Sequence, residues 1–211
     1  MNASRPSALK RPSAKTKLID AAHVLVRRKG YAATSVDEMC AAAGVTKGAF
    51  FHHFASKEAL AAAAAEQWTA RAEQYIFTLP DWTRIEDPLE RLLAHIDFRA
   101  SMMDGPAEGF TCYVGTMVQE SFASSDVLRQ AGDASMTAYC ERLAEDIDAA
   151  IEKYGIKGDV TGISLAWHLQ AVLQGAFILA KAKADPAIAR DSAAHLKNYV
   201  SMLFGKEGEM Q

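Results

Sequence analysis

An all-α fold, with a small three-helix unit at the N-terminus followed by a larger helical body, is what this 211-residue sequence predicts. Two observations carry the expectation. Apolar residues recur at three- and four-residue spacing through most of the chain, with no alternating strand pattern of useful length. Gly, Pro and short polar residues fall where helices of that phase would begin and end. About nine helices are expected.

The first 13 residues hold two prolines and several serines, so 1–14 reads as a flexible basic arm. A first helix runs over 15–29, with Leu18, Ala22, Leu25 and Val26 on one face and Gly30 at its end. Ser35 and Glu38 have capping-box spacing, and Val36, Met39, Cys40 and Ala43 then form one buried stripe. Gly44 stops this second helix. Thr46 caps a short third helix over 47–53, with Val45 packed inward. Ser56 caps a fourth helix that continues to about Thr78 and is broken by Pro80. Further helices are expected over 88–103, 112–122, 126–154, 160–183 and 186–204, the last opened by Asp185 and Pro186. The stretch 104–109 reads as a loop. The domains are expected at 15–62 and 63–211, joined rigidly through the fourth helix.

Charge divides the chain at the same place. Residues 1–62 carry ten Lys and Arg against four Asp and Glu, whereas the net charge of the whole is -3. A basic first third on an acidic remainder points to a polyanion partner for the first third alone. The cysteines, Cys40, Cys112 and Cys140, are odd in number and lack metal-ligand spacing, which fits a reducing cytoplasm. No run of about 18 strongly apolar residues suggests a membrane span. No nucleophile elbow, zinc-protease motif, phosphate loop or paired metal-carboxylate motif is found, so neither an enzyme nor a cofactor is expected. His52 and His53 are neighbours, about 100° apart on a helix, and cannot chelate one ion.

The segment 35–54 meets the requirements of a helix-turn-helix. The turn needs positive φ, which Gly44 supplies. The close helix crossing needs a small residue four positions earlier, which Cys40 supplies, while Met39, Val45 and Phe50 flank the crossing. The sequence from Thr34 to Leu60, with Ala21, Ala22, Gly30 and Tyr31 before it, resembles the DNA-binding signature of the TetR family of transcriptional regulators.

That resemblance implies a DNA-binding surface of Thr34, Ser35, Thr46, Lys47, Gly48, Ala49, Phe51, His52 and Lys57. Lys47, Gly48 and Ala49 would open the recognition helix, with Gly48 letting the backbone approach DNA. Lys57 and the neighbouring helix N-terminus would meet phosphate, as would Thr34 or Ser35. Phe51 stands where the family usually has a phosphate-contacting tyrosine, and Ala49 replaces a common threonine. No arginine lies in the recognition helix, so Lys47 is the best base-reading candidate. His53 is expected near the hairpin core.

The segment 160–183 is apolar on nearly all sides, so it would pack against its own domain on one side and a second subunit on the other. With the following helix it looks like the family's dimer interface, and Ile163, Ala171, Gly175, Ile178, Ile188, Leu196 and Tyr199 are the expected contacts. The resemblance also implies an effector pocket. Its candidate lining is Phe98, Met102, Phe110, Cys112, Tyr113, Met117, Met136, Tyr139, Trp167 and Gln170, whose aromatic and thioether groups suit a largely apolar ligand. Cys112 would open a helix, an electropositive position that makes a thiol reactive, so oxidation or alkylation there is an alternative signal. Control by a protein partner is another. The function implied is a ligand-responsive repressor that binds a palindromic operator as a homodimer.

Overall fold

The computed structural model describes residues 12–206. The arm cations Arg5, Lys10 and Arg11 lie outside the described residues. Ten α-helices occur among those described, one more than expected: α1 (Ala14–Lys29), α2 (Val36–Ala43), α3 (Lys47–His53), α4 (Lys57–Ala72), α5 (Pro88–Ser101), α6 (Ala107–Phe110), α7 (Tyr113–Ser121), α8 (Asp126–Tyr154), α9 (Gly162–Lys183) and α10 (Ala187–Leu203). The additional helix, α6, is a single turn that begins inside the stretch expected to be a loop and ends one residue beyond it. Helix α4 ends at Ala72, and Glu73–Thr78 continues as a π-helical turn before a 3₁₀ turn at Asp81–Arg84. Pro80 closes the π turn from outside, so the break lies where proline requires it but the wider winding precedes it.

Side-chain oxygens start most of these helices. Ser13, Ser35, Thr46, Ser56, Asp87, Ser125 and Thr161 each accept a backbone N–H from the first turn. Each such cap is worth about 1 kcal/mol. Ser35 and Glu38 form the expected reciprocal box, and Lys29 pairs with the same carboxylate and holds it down to about pKa 2. Asp185 accepts from Ala187 N at 2.8 Å and so caps the turn that Pro186 opens.

Two apolar cores result. One joins Leu18, Val26, Met39, Phe50 and Leu60 of the first four helices to Tyr113, Val114 and Met117 of α7 and Leu128 of α8. The other lies between α5, α8, α9 and α10, around Leu92, Ile96, Leu143, Ile147, Leu169, Phe177 and Leu196. Helix α9 is long and apolar enough to cross a membrane, with mean hydropathy 1.4 over its most apolar stretch. It packs instead between α8 and α10, which explains the apolar composition on that side.

The alanine run of α4 makes room for the seam between the cores. Ala61, Ala64 and Ala65 are fully buried, so α1, α7 and α8 approach the α4 backbone directly. Tyr113 donates its hydroxyl to the Ala61 carbonyl at 3.1 Å. His23 donates Nε2–H to the Ala64 carbonyl at 2.7 Å, and its Nδ1 accepts from Arg71 at 3.2 Å, which fixes a neutral tautomer. Burial, helped by the Arg71 and Arg27 charges, lowers the His23 pKa to about 4. His95, buried in the second core, falls to about 3, chiefly through burial.

Both imidazoles are therefore neutral when folded and free to take up protons once unfolded. Their contribution to stability is fully present above about pH 6.5 and is lost as pH falls toward about 4 for His23 and about 3 for His95. Thermal melts across that window should show a falling midpoint, and His23→Gln should flatten the dependence. An acid-insensitive midpoint in the wild-type chain would contradict the neutral His23 latch.

Candidate nucleic-acid interface and sensing cavity

Gly44 takes the left-handed conformation (φ 62°) and its N–H closes α2 on the Ala41 and Cys40 carbonyls. Val45 N–H then reaches the Cys40 carbonyl at 3.0 Å, turning the chain into α3. Cys40 is almost fully buried at the crossing, and burial, the largest cause, raises its pKa. Phe50 is the one fully buried residue of α3, wedged beside Phe54. Every other α3 residue except half-buried Ala49 faces outward, including Phe51 at 54% exposure.

That geometry sorts the expected contacts. Ser35, Thr46, Lys47, Gly48, Phe51 and His52 are exposed together on the outer side of the hairpin. Thr34 is not with them: it is 1% exposed, and its hydroxyl donates to the Gly30 carbonyl at 2.7 Å. The sequence does not reveal this, because a threonine before a cap looks the same whether it faces solvent or the preceding turn. His53 is a second correction. It is exposed beside His52, ring centroids 4.9 Å apart, at the end of α3, where Phe54 and not His53 takes the buried place next to Phe50. Ser35 and Thr46 spend their oxygens on caps.

Cation placement is less direct than the sequence suggests. Lys47 pairs with Asp37 at 2.8 Å, both largely exposed, and that hydrogen bond raises the Lys47 pKa. Half-buried Lys57 lies over the Tyr31 ring (4.2 Å to its centroid) and reaches the Ala32 carbonyl at 3.4 Å. Burial, the main cause, lowers its pKa. Asp37 and Tyr31 are thus neighbours of the two key lysines that sequence reasoning missed. Gly48 needs no glycine for internal reasons. A Cβ there would meet only Thr46 Oγ1, at 3.8 Å, among the described residues.

The expected pocket residues divide into several groups. Cys112, Met136, Tyr139 and Gln170 line one cavity of about 50 Å³ under α4, with Trp68, Thr69, Phe77, Val114 and Ser135. Tyr113 and Met117 lie in the first core and do not line it, because α7 turns them toward α4 and α1. Phe110 packs against Phe177, half-buried Phe98 stands beside Trp82, and Met102 is 45% exposed. Trp167 lies on the outer face of α9, 40% exposed, so it too is away from the cavity.

The outer face of α9 and α10 collects most of the expected dimer contacts. Ile163, Trp167, Ile178, Leu179, Tyr199 and Met202 are exposed there, with Ala171 and half-buried Gly175 between them. Leu196 departs from this set: it is 3% exposed and belongs to the second core, since its side chain falls on the α5-facing side of α10. Ile188 is half-buried.

Links between the hairpin and the cavity run through α1 and α4. Arg27 lies 5.0 Å over Trp68 of the cavity wall and reaches the Thr111 carbonyl at 3.4 Å. Ala32 N–H donates to Glu120 of α7 at 2.7 Å. Thr69 of α4 donates to Ser135 of α8 at 2.7 Å. These contacts come from distant parts of the chain and carry no local sequence signal.

Comparison with known proteins agrees with this architecture. Residues 18–64 match the model described as bacterial regulatory proteins, tetR family. Residues 88–196, more than half of the chain, match the tetracyclin repressor-like C-terminal domain. The Transposon Tn10 TetC protein of Escherichia coli is 41% identical over 78 residues, 37% of this chain and 40% of that protein, so the match spans under half of its length. The HTH-type transcriptional repressor DhaR of Mycobacterium sp. (strain GP1) is 27% identical over 153 residues, 72% of this chain and 75% of that protein. The crystal structure of a TetR-family transcriptional regulator from Agrobacterium tumefaciens superposes with a TM-score of 0.77 at 22% identity, covering 88% of this chain and 96% of that one, a likeness of fold.

Two substitutions separate contact with DNA from folding. Gly48→Ala should raise stability by up to about 1 kcal/mol, as expected for glycine in a helix, while weakening duplex binding. Asp37→Asn should release Lys47 and strengthen duplex binding at low salt. Anisotropy titrations beside thermal melts read both; unchanged affinity in both variants would remove α3 from the interface.

Proposed function

This chain belongs to the TetR family of bacterial transcriptional regulators, and from that premise we propose that it is a repressor released from a palindromic operator by a small, largely apolar effector. Its family membership makes it a DNA-binding, dimer-forming transcription factor rather than an enzyme. The reading assigns operator contact to 15–62 with the arm 1–14, and sensing and pairing to 63–211, in the cytoplasm. The observation that carries it is the outward run on α3: Lys47, Gly48, Phe51 and His52 face solvent while Phe50 alone anchors the helix.

Lys47 reads a base edge or phosphate at the head of α3, and the Gly48 backbone closes on the groove. His52 and Phe51 lie along the same face. Lys57 swings from Tyr31 to a phosphate at the α4 N-terminus. The absence of a tyrosine hydroxyl at position 51 costs one contact, about 0.5–1.5 kcal/mol, and leaves binding intact. Two copies joined through Ile163, Trp167, Ala171, Gly175, Ile178 and Tyr199 place two α3 helices on successive major grooves. Effector entry beneath α4 tilts that helix through its contacts with α1, so one dimer no longer fits both half-sites. A coupling of about 1–3 kcal/mol is typical of such switches.

A second reading is favoured by the position of Cys112. Its Sγ accepts from Gly115 N–H at 3.3 Å at the head of α7, and the residue lines both the cavity under α4 and a larger cleft that includes Arg27 and Lys181. Modification of this thiol would press on the same α4 wall as a bound effector.

The test is a titration of the full chain against duplexes from the DNA flanking its own gene, at several salt concentrations. A specific, steeply salt-dependent complex of two chains per duplex is expected. Ile178→Glu should yield a single subunit in sedimentation and lose the complex. Indifference to every duplex, or a fully active monomer, would overturn the reading.

A further inference from the structure

Helices α5 and α8, next to the cavity under α4, enclose a buried polar cluster with an excess of hydrogen-bond donors. Tyr139 and Gln170 line the cavity of about 50 Å³ and also a smaller one next to it, whose walls include His95 and Arg99. They form the wall between the two; the smaller one presents only apolar surface, with the donors of His95 and Arg99 set behind it.

The bonds of these donors can be followed atom by atom. Arg99 donates from Nη1 to the Tyr139 hydroxyl at 2.8 Å. His95 Nε2 lies 3.0 Å from the same oxygen. The hydroxyl proton has no other acceptor among the described residues, so it goes to Nε2. A neutral imidazole then carries its own proton on Nδ1. His95 is 1% exposed, and Nδ1 has no partner among the described residues. The same holds for the enclosed Arg99 Nε–H and for the indole N–H of Trp82, which rests edge-on against His95. Arg99 makes no ion pair with a carboxylate among the described residues. Arg99 is half-buried, and its enclosed Nε–H is a donor left without an acceptor, which an anionic oxygen would satisfy. Of the carboxylates in the region, Asp97 is held by Lys197, and Glu73, exposed to solvent, lines the larger cavity.

We propose that the effector is a small organic anion, a carboxylate or similar oxyanion on an apolar body, whose charged head is received by Arg99 and His95 beside Tyr139 while its body fills the chamber of Phe77, Val114 and Met136. This rests on the reading of that chamber as the effector site. Charge-assisted bonds from a fixed arginine favour such a head over any neutral isostere. The chamber is smaller than an aromatic acid, so occupation requires α4 and α8 to part, and ligand affinity becomes work on the helix that carries the hairpin.

Matched acids and amides provide the test: propionate and propionamide, benzoate and benzamide, 2-naphthoate and 2-naphthamide, at constant ionic strength. Binding to the full dimer is followed by tryptophan fluorescence, and release of duplex by anisotropy. At least one acid should bind about tenfold or more tightly than its amide and release the duplex. Arg99→Gln should abolish that preference, Tyr139→Phe should reduce it, and the exposed-pair control Arg129→Gln should preserve it. Retained duplex binding in each variant shows that it folds. Amides that bind and release the duplex as well as the acids would overturn the anion assignment and leave the effector reading standing. If no acid binds, or if the preference survives in Arg99→Gln, the assignment also fails; duplex release by any neutral compound then still decides the effector reading separately.

Discussion

Helix α4 is held by its own backbone. Tyr113 and His23 each deliver a hydrogen bond to a carbonyl one turn apart, at Ala61 and Ala64, from two partners, α7 and α1, with their rings 4.9 Å apart. Those carbonyls already belong to the helix, so the extra bonds fit only because the side chains at 61, 64 and 65 are single methyl groups. A larger residue would push α1 and α7 away and leave a buried tyrosine and histidine unpaired, a cost of the order of a few kcal/mol. The hairpin, the seam and the cavity under α4 all take their positions from this grip.

The grip also explains why so much polar chemistry is collected where a simple core would suffice. Glu58 receives the Ser125 hydroxyl at 2.5 Å, Thr69 meets Ser135, and Arg71 ties to Asp20 beside His23. Two of these bonds join α4 to α8 and its cap and the third joins it to α1, so a displacement of α8 is transmitted to α1 through directional contacts and not through apolar packing alone. Apolar surfaces can slide at little cost; hydrogen-bonded ones move together or break.

Much of the fold was readable because its signals are local. Ser35 with Glu38, Gly44, Thr46, Ser56 and Asp185 mark helix ends through bonds made within four residues, and the structure has helix boundaries beside each of them. The end of α4 was not readable in this way, since nothing in Glu73–Thr78 distinguishes a π turn from a continuing α-helix. Site residues follow the same division. The outward face of α3 follows from the period that buries Phe50. Which aromatic residues line a chamber depends on the rotation of α7 against α4, and that rotation is set by contacts dozens of residues apart. Tyr113 and Met117 were therefore drawn to the wrong side, Trp167 turned outward, and the polar cluster of His95 and Arg99 stayed hidden, since its members are ordinary until α5 and α8 meet.

The uncovered strip on α9 and α10 has a consequence for dosage. Under the proposed pairing, Trp167, Ile178, Leu179, Tyr199 and Met202 keep their apolar surface in water until a second copy covers it, so completion of the protein obeys mass action. When few chains are present, halving their number lowers the paired population by more than half, and control by this protein weakens faster than its abundance. In that reading scarcity alone acts as a release signal, in parallel with the proposed effector.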